Sequence, residues 1–77
     1  MSEYEWLDYF GENLLYLLRR AHITQRELAR LSGISEAAIS TYIHGQKMPG
    51  PRALVNIAHV MGCTLDELMD FGEMIEG

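Results

Sequence analysis

Phe10, Leu14, Leu17 and Ala21 recur at the three- and four-residue intervals that line up side chains on one face of an α-helix. Ser2 and Glu5 have the spacing of a capping box and Asp8 offers an alternative start, so a first helix is expected to begin between Glu3 and Tyr9 and to end near Ala21. Its apolar content exceeds one face. Leu15 and Leu18 lie off the stripe, and Trp6, Leu7, Tyr9 and Tyr16 add bulk. Such a surplus calls for a second cover, either the N-terminal segment folded back or another chain.

The stretch from Thr24 to Gly45 predicts two short helices. Thr24 and Glu27 have the spacing at which a hydroxyl and a carboxylate each satisfy a free backbone N–H, so a helix should start at Gln25. Leu28, Ala29 and Leu31 supply its apolar side, and Gly33 is the residue best able to stop it in the left-handed conformation. Ile34 fills the corner. Ser35 is a good N-cap for a second helix from about Glu36 to His44, with Ile39, Tyr42 and Ile43 apolar and Gly45 as its stop. Two helices separated by so short a glycine-containing turn form the helix-turn-helix unit, whose second helix is shaped to enter a DNA major groove.

Beyond Gly45, residues 46–51 form the longest irregular run. Pro51 suits the first position of a fourth helix in which Leu54, Val55, Ile57, Ala58 and Met61 face inward, and Gly62 ends it. Thr64 and Glu67 repeat the capping-box spacing ahead of a short fifth helix, with Leu65, Leu68 and Met69 packing back and residues 71–77 left as an acidic, frayed tail. No stretch alternates in the manner of a β-strand. The expected fold is all-α, a compact bundle of five short helices in one domain spanning residues 1–77.

Gln25-Arg26-Glu27-Leu28-Ala29, Ser32-Gly33-Ile34-Ser35, Ile39-Ser40-Thr41-Tyr42 and Gly45-Gln46-Lys47-Met48-Pro49 together resemble the phage-repressor and Cro type of helix-turn-helix protein. The resemblance runs from about Phe10 to Met69 and continues through Ile57-Ala58, Gly62 and Thr64-Leu65-Asp66-Glu67-Leu68. It implies a lambda-repressor-like DNA-binding domain, of bacterial or mobile-element origin, that binds an approximately palindromic operator on double-stranded DNA as a homodimer. By the same resemblance Gln25 holds a phosphate at the start of the first motif helix, where a helix N-terminus itself favours an anion. Lys47, with His44, approaches the backbone flanking the groove, and Arg26 joins this phosphate side. The positions that face bases are Glu36, Ala37, Ser40 and Thr41. Tyr42 anchors its helix to the body.

That reading set contains no arginine or lysine for the commonest contact, a two-pronged bond to guanine. Glu36 can accept from cytosine N4 or act as a first-turn carboxylate favouring the helix dipole. Ala37 can touch a thymine methyl, and Ser40 or Thr41 can bond several base edges, which leaves room for readout of DNA shape.

Charge points in two directions. The net value is −5, unusual for a nucleic-acid partner, yet residues 1–12 hold four acids and no base, and residues 61–77 hold five acids. All six bases lie between them with only Glu27 and Glu36, a net +4. Arg19, Arg20, Arg26 and Arg30 either reach phosphates or stay solvated, while the acidic ends lower non-specific affinity. A competing expectation is a protein-interaction module that keeps the fold and binds DNA weakly or not at all. The acidic balance, the base-free reading helix and the apolar surplus of the first helix favour it.

Other chemistry is not expected. His22, His44 and His59 lack metal-ligand spacing, no glycine-rich phosphate loop occurs, and the adjacent Asp66 and Glu67 point in different directions on a helix. No metal, cofactor, small-molecule substrate or catalysis is therefore anticipated. The single cysteine, Cys63, reads as a small buried residue in a reducing compartment. With an acidic start and no apolar run near the roughly 20 residues of a membrane span, a cytoplasmic protein without membrane contact is expected.

Overall fold

The computed structural model describes residues 3–70, with side chains from Glu5 onward. The Ser2 cap and the tail at 71–77 lie outside the described residues. Among the described residues five helices follow one another: α1 (Glu3–Ala21), α2 (Gln25–Ser32), α3 (Glu36–Ile43), α4 (Pro51–Met61) and α5 (Leu65–Leu68). Among the described residues there is no strand, and no helix is long and apolar enough to cross a membrane.

The helix boundaries follow the predicted local chemistry. Thr24 and Thr64 both form complete capping boxes, with Glu27 and Glu67 as the reciprocal acceptors. Pro51 takes the first turn of α4 behind a Gly50 N-cap, and Gly33 and Gly62 end α2 and α4 at φ 75° and 67°. The helix α1 stops differently. His22 adopts φ 57° while Ile23 N–H reaches back to Leu18 O at 3.0 Å, so a residue with a Cβ occupies the left-handed position.

The helix α1 packs beneath α3 and also meets α4 and α5, while α2 bridges α3 and α4. Phe10, Leu14, Leu28, Ile39, Ile57 and Leu68 are fully buried at the centre, joined by Leu17, Leu18, Tyr42 and Ala58. Leu18 thus belongs to this chain's own core, which widens the buried side of α1 beyond the predicted stripe. Among the described residues the fold-back is not found. Residues 3–9 continue α1 as helix and cannot cover their own downstream face. Leu7, Tyr9 and Leu15 are half-buried, whereas Trp6 and Tyr16 are exposed.

Four other residues expected to face inward do not. Ala21 lies on the core face but in the last turn of α1, past the packed residues, and is exposed. A helix turns 100° per residue, so Leu31 sits about 60° from Leu28 on the side opposite Ala29, and only the Ala29 side packs. Val55 is nearly opposite buried Ile57, and Leu65 opens the one-turn α5 whose inward residue is Leu68. Cys63 is half-buried rather than fully enclosed, and that burial, with Glu67 nearby, pushes its thiol pKa up.

One polar side chain is built into the core. Asn13, on the apolar side of α1, donates both hydrogens of its amide to the end of α5, reaching Leu68 O at 2.7 Å and Glu67 O at 3.1 Å. The last carbonyls of a helix have no partner within it, and Asn13 supplies one across the core. This fixes α5 to α1 at a definite height.

Candidate nucleic-acid interface

The start of α2 is set by the Thr24 cap. Its hydroxyl accepts from Glu27 N–H at 3.1 Å, and Glu27 Oε1 accepts from Thr24 N–H at 3.2 Å and from the Thr24 hydroxyl at 3.0 Å. The backbone and then the hydroxyl bond from Thr24 hold the Glu27 carboxyl below its usual pKa, with Arg30 adding to the effect. Leu28 N–H begins the helical ladder to Thr24 O at 2.9 Å. Gln25 and Arg26 therefore occupy the first turn ahead of these bonded groups, where the helix dipole favours an anion. Gln25 is half-buried and Arg26 exposed.

The helix α3 starts at Ser35, whose Oγ accepts from Ala38 N–H at 3.1 Å. Ile39 and Tyr42 are buried and fasten it to the body. Glu36 and Ala37 are exposed, and Ser40 is half-buried one turn further on. Thr41 is placed differently from its neighbours. It is half-buried and its hydroxyl donates to Ala38 O at 2.6 Å, so its hydrogen is spent inside the helix. Only its remaining oxygen lone pairs and its methyl group are open to an outside partner.

Ser40 and His44, four residues apart, are brought together at the end of α3. His44 Nδ1 lies 2.7 Å from Ser40 O and 3.3 Å from Ser40 Oγ. A carbonyl oxygen only accepts, so Nδ1 carries a hydrogen, and Nε2 is left for another contact as an acceptor on the neutral ring or as a donor on the imidazolium. The next residue, Gly45, has φ 69°, and Gln46 N–H returns to Thr41 O at 2.9 Å, turning the chain away from the helix axis. Lys47 follows, exposed.

Arg20 is less available than the other bases. Arg20 reaches Glu67 at 3.6 Å and lies over the Tyr16 ring, 5.7 Å from its centroid, which ties it to the α1 and α5 surface. Among the described residues, no group of three or more His, Cys, Asp or Glu side chains is placed to hold a metal ion.

Gly11 was missed as a positioning residue. A Cβ there would overlap Ile43 O and come within 2.8 Å of Tyr42 O, so α1 meets the end of α3 at backbone distance. A glycine in mid-helix, which costs about 0.5–1 kcal/mol relative to alanine, was the available signal. Asn13 had one too, as a polar residue inside an apolar stripe.

Comparison with known proteins agrees with this architecture. The helix-turn-helix family HTH_3 matches residues 14–68. An uncharacterised helix-turn-helix-type transcriptional regulator of Bacillus subtilis, YqaE, is 32% identical over 60 residues, 78% of this chain and 52% of that protein. The chain thus spans about half the length of that curated relative. The restriction-modification controller protein C.AhdI of Aeromonas hydrophila is similar in structure, with a TM-score of 0.77 and 26% identity over 80% of this chain and 94% of the other. A transcriptional regulator of the same family from Vibrio cholerae superposes over 96% of this chain and 42% of its own, with a TM-score of 0.84; at 16% identity it supports the fold alone. With a capped α2, a glycine turn and an α3 whose Glu36–Ala37 edge is exposed, the chain belongs to the helix-turn-helix family of phage-repressor and Cro type.

Proposed function

We propose that this protein is a sequence-specific transcriptional regulator that binds double-stranded DNA as a homodimer on an approximately palindromic operator. The observation that carries this reading is the placement of α3. Ile39 and Tyr42 hold it to the body while Glu36, Ala37 and Ser40 occupy its outer side, the arrangement a recognition helix needs to meet base edges. In this reading Gln25 and Arg26 hold one phosphate at the α2 start, and Lys47, with Nε2–H of His44 in its imidazolium form, holds another beyond α3. Thr41 contributes through its methyl group or an accepting lone pair. Regulation is by occupancy, as a repressor that blocks access to the operator.

Salt titrations test the docking. Affinity should fall with added salt, the logarithm changing by about 0.9 for each phosphate neutralised. Gln25→Ala and Lys47→Ala should weaken binding to all duplexes alike, and Lys47→Ala should lower the salt slope by about one. Variants that match the parent at every salt concentration would contradict the assigned orientation. A protein-interaction module is the second reading, favoured by the internal bond of the Thr41 hydroxyl and the acidic balance. It predicts no saturable duplex binding by the parent.

A further inference from the structure

We propose that Asp8 is an affinity-setting residue, a carboxylate held beside the phosphate-side turn that weakens contact with every duplex. It rests on the assignment of His44 and Lys47 to phosphates. The geometry comes from Gly45, whose added Cβ would meet Asp8 Oδ1 and lie 3.4 Å from both the N and the Cα of Asp8. Position 8 of α1 is therefore seated on the turn that carries His44 and Lys47, both exposed. Gly45 is required twice, by its φ of 69° and by this contact.

The charge pattern gives the contact its meaning. The described first half of α1 bears Glu5, Asp8 and Glu12, all exposed, and no base. Of these, Asp8 is the one that the glycine contact fixes against the turn. A phosphate drawn to His44 or Lys47 must approach this carboxylate as well. Like charges at such separations repel by an amount that ordinary salt reduces, since the screening length is about 10 Å at 0.1 M. Non-specific binding depends almost wholly on phosphate contact, so a fixed acid at this turn limits the time spent on unrelated DNA.

Asp8→Asn removes the charge and keeps the shape. Fluorescence titration of the parent, Asp8→Asn, Asp8→Glu and Glu12→Gln with one random-sequence duplex, at about 50 and about 300 mM salt, tests the proposal. Asp8→Asn should bind roughly three- to tenfold tighter at the lower salt, with the gain shrinking at the higher. Asp8→Glu should stay near the parent, and Glu12→Gln should gain clearly less than Asp8→Asn. Equal gains from Asp8→Asn and Glu12→Gln would reduce the effect to net charge and overturn the local role. Unchanged or weaker binding by Asp8→Asn, with a parent that binds, would overturn this inference alone. A parent that binds no duplex at either salt would overturn the DNA reading and this inference with it.

Discussion

The carbonyl oxygen of Ile43, the last residue of α3, lies against Gly11 of α1 so closely that a Cβ at position 11 would overlap it. Glycine in a helix normally gains stability when replaced by alanine, because the unfolded chain loses freedom. Here the neighbours are two backbone carbonyls, which have no rotamer by which to move aside. Gly11→Ala is expected to destabilise the fold by about 1–3 kcal/mol, the usual cost of overpacking, against the stabilisation seen at an open helical site. Thermal or urea unfolding checks the sign. Because the clash falls on the end of α3, duplex affinity should also drop under conditions where the variant remains folded.

Asn13 ties α1 to α5 through two carbonyls. Asn13→Leu keeps the volume close and removes the amide from Leu68 O, at about 1–3 kcal/mol for a buried group left unsatisfied, while Glu67 O keeps Asp70 N–H at 3.3 Å. Asn13→Asp should be worse, since an ionised carboxylate only accepts and would face two acceptors. Urea unfolding near neutral pH should therefore rank the parent above Asn13→Leu and Asn13→Leu above Asn13→Asp. A different order would mean that the amide hydrogens do not hold α5.

Glu27 predicts an acid-sensitive helix start. Its pKa is depressed in the folded protein, chiefly by the Thr24 backbone N–H and then by the Thr24 hydroxyl. A depressed carboxylate contributes stability above its unfolded value, about 4.3 for a free glutamate, and loses it as pH falls through the lower folded value. Glu27→Gln should therefore flatten the decline of melting temperature in that acid range. An acid decline identical to the parent's would show that Glu27 does not couple to folding.

Much of the fold was legible because its helix ends are local chemistry. Thr24 with Glu27, Ser35, Gly62 and Thr64 with Glu67 mark boundaries through bonds spanning only a few residues, and Pro51 through its own fixed backbone angle. Direction of packing was less legible. Leu31, Val55 and Leu65 are apolar at helical spacing, yet which edge of a narrow helix meets a neighbour depends on how α2, α4 and α5 cross the rest of the bundle. Leu18 shows the converse, since the width of the buried face of α1 is set by the several helices that contact it. At the interface, the family resemblance grouped Thr41 with Glu36, Ala37 and Ser40. The bond from Thr41 to Ala38 O depends on a side-chain rotamer that a family pattern does not specify. The contacts of Gly11 with Ile43 and of Asp8 with Gly45 join residues more than thirty positions apart, and no local motif announces them.

Glu36 stands in the first turn of α3, exposed. If it reads a base, Glu36→Gln should move preference toward adenine at one base pair in each half-site, by about 1–3 kcal/mol for a good two-pronged contact. Comparing the bound-sequence preferences of parent and variant checks this. An unchanged motif would leave Glu36 as a carboxylate serving the helix dipole alone.

The measurement that bears most directly on the proposed function is selection of bound sequences from random duplex DNA, carried out with the parent protein at low and at near-physiological salt. Operator binding by a homodimer predicts enrichment of one motif with two-fold symmetry, its half-sites about one helical turn of roughly 34–36 Å apart, as two α3 helices in successive major grooves require. The enriched duplex should remain bound at near-physiological salt while unrelated sequences are released, because base contacts persist when phosphate contacts weaken. Recovery of no common motif at either salt, from a protein that is folded, would contradict sequence-specific recognition by α3.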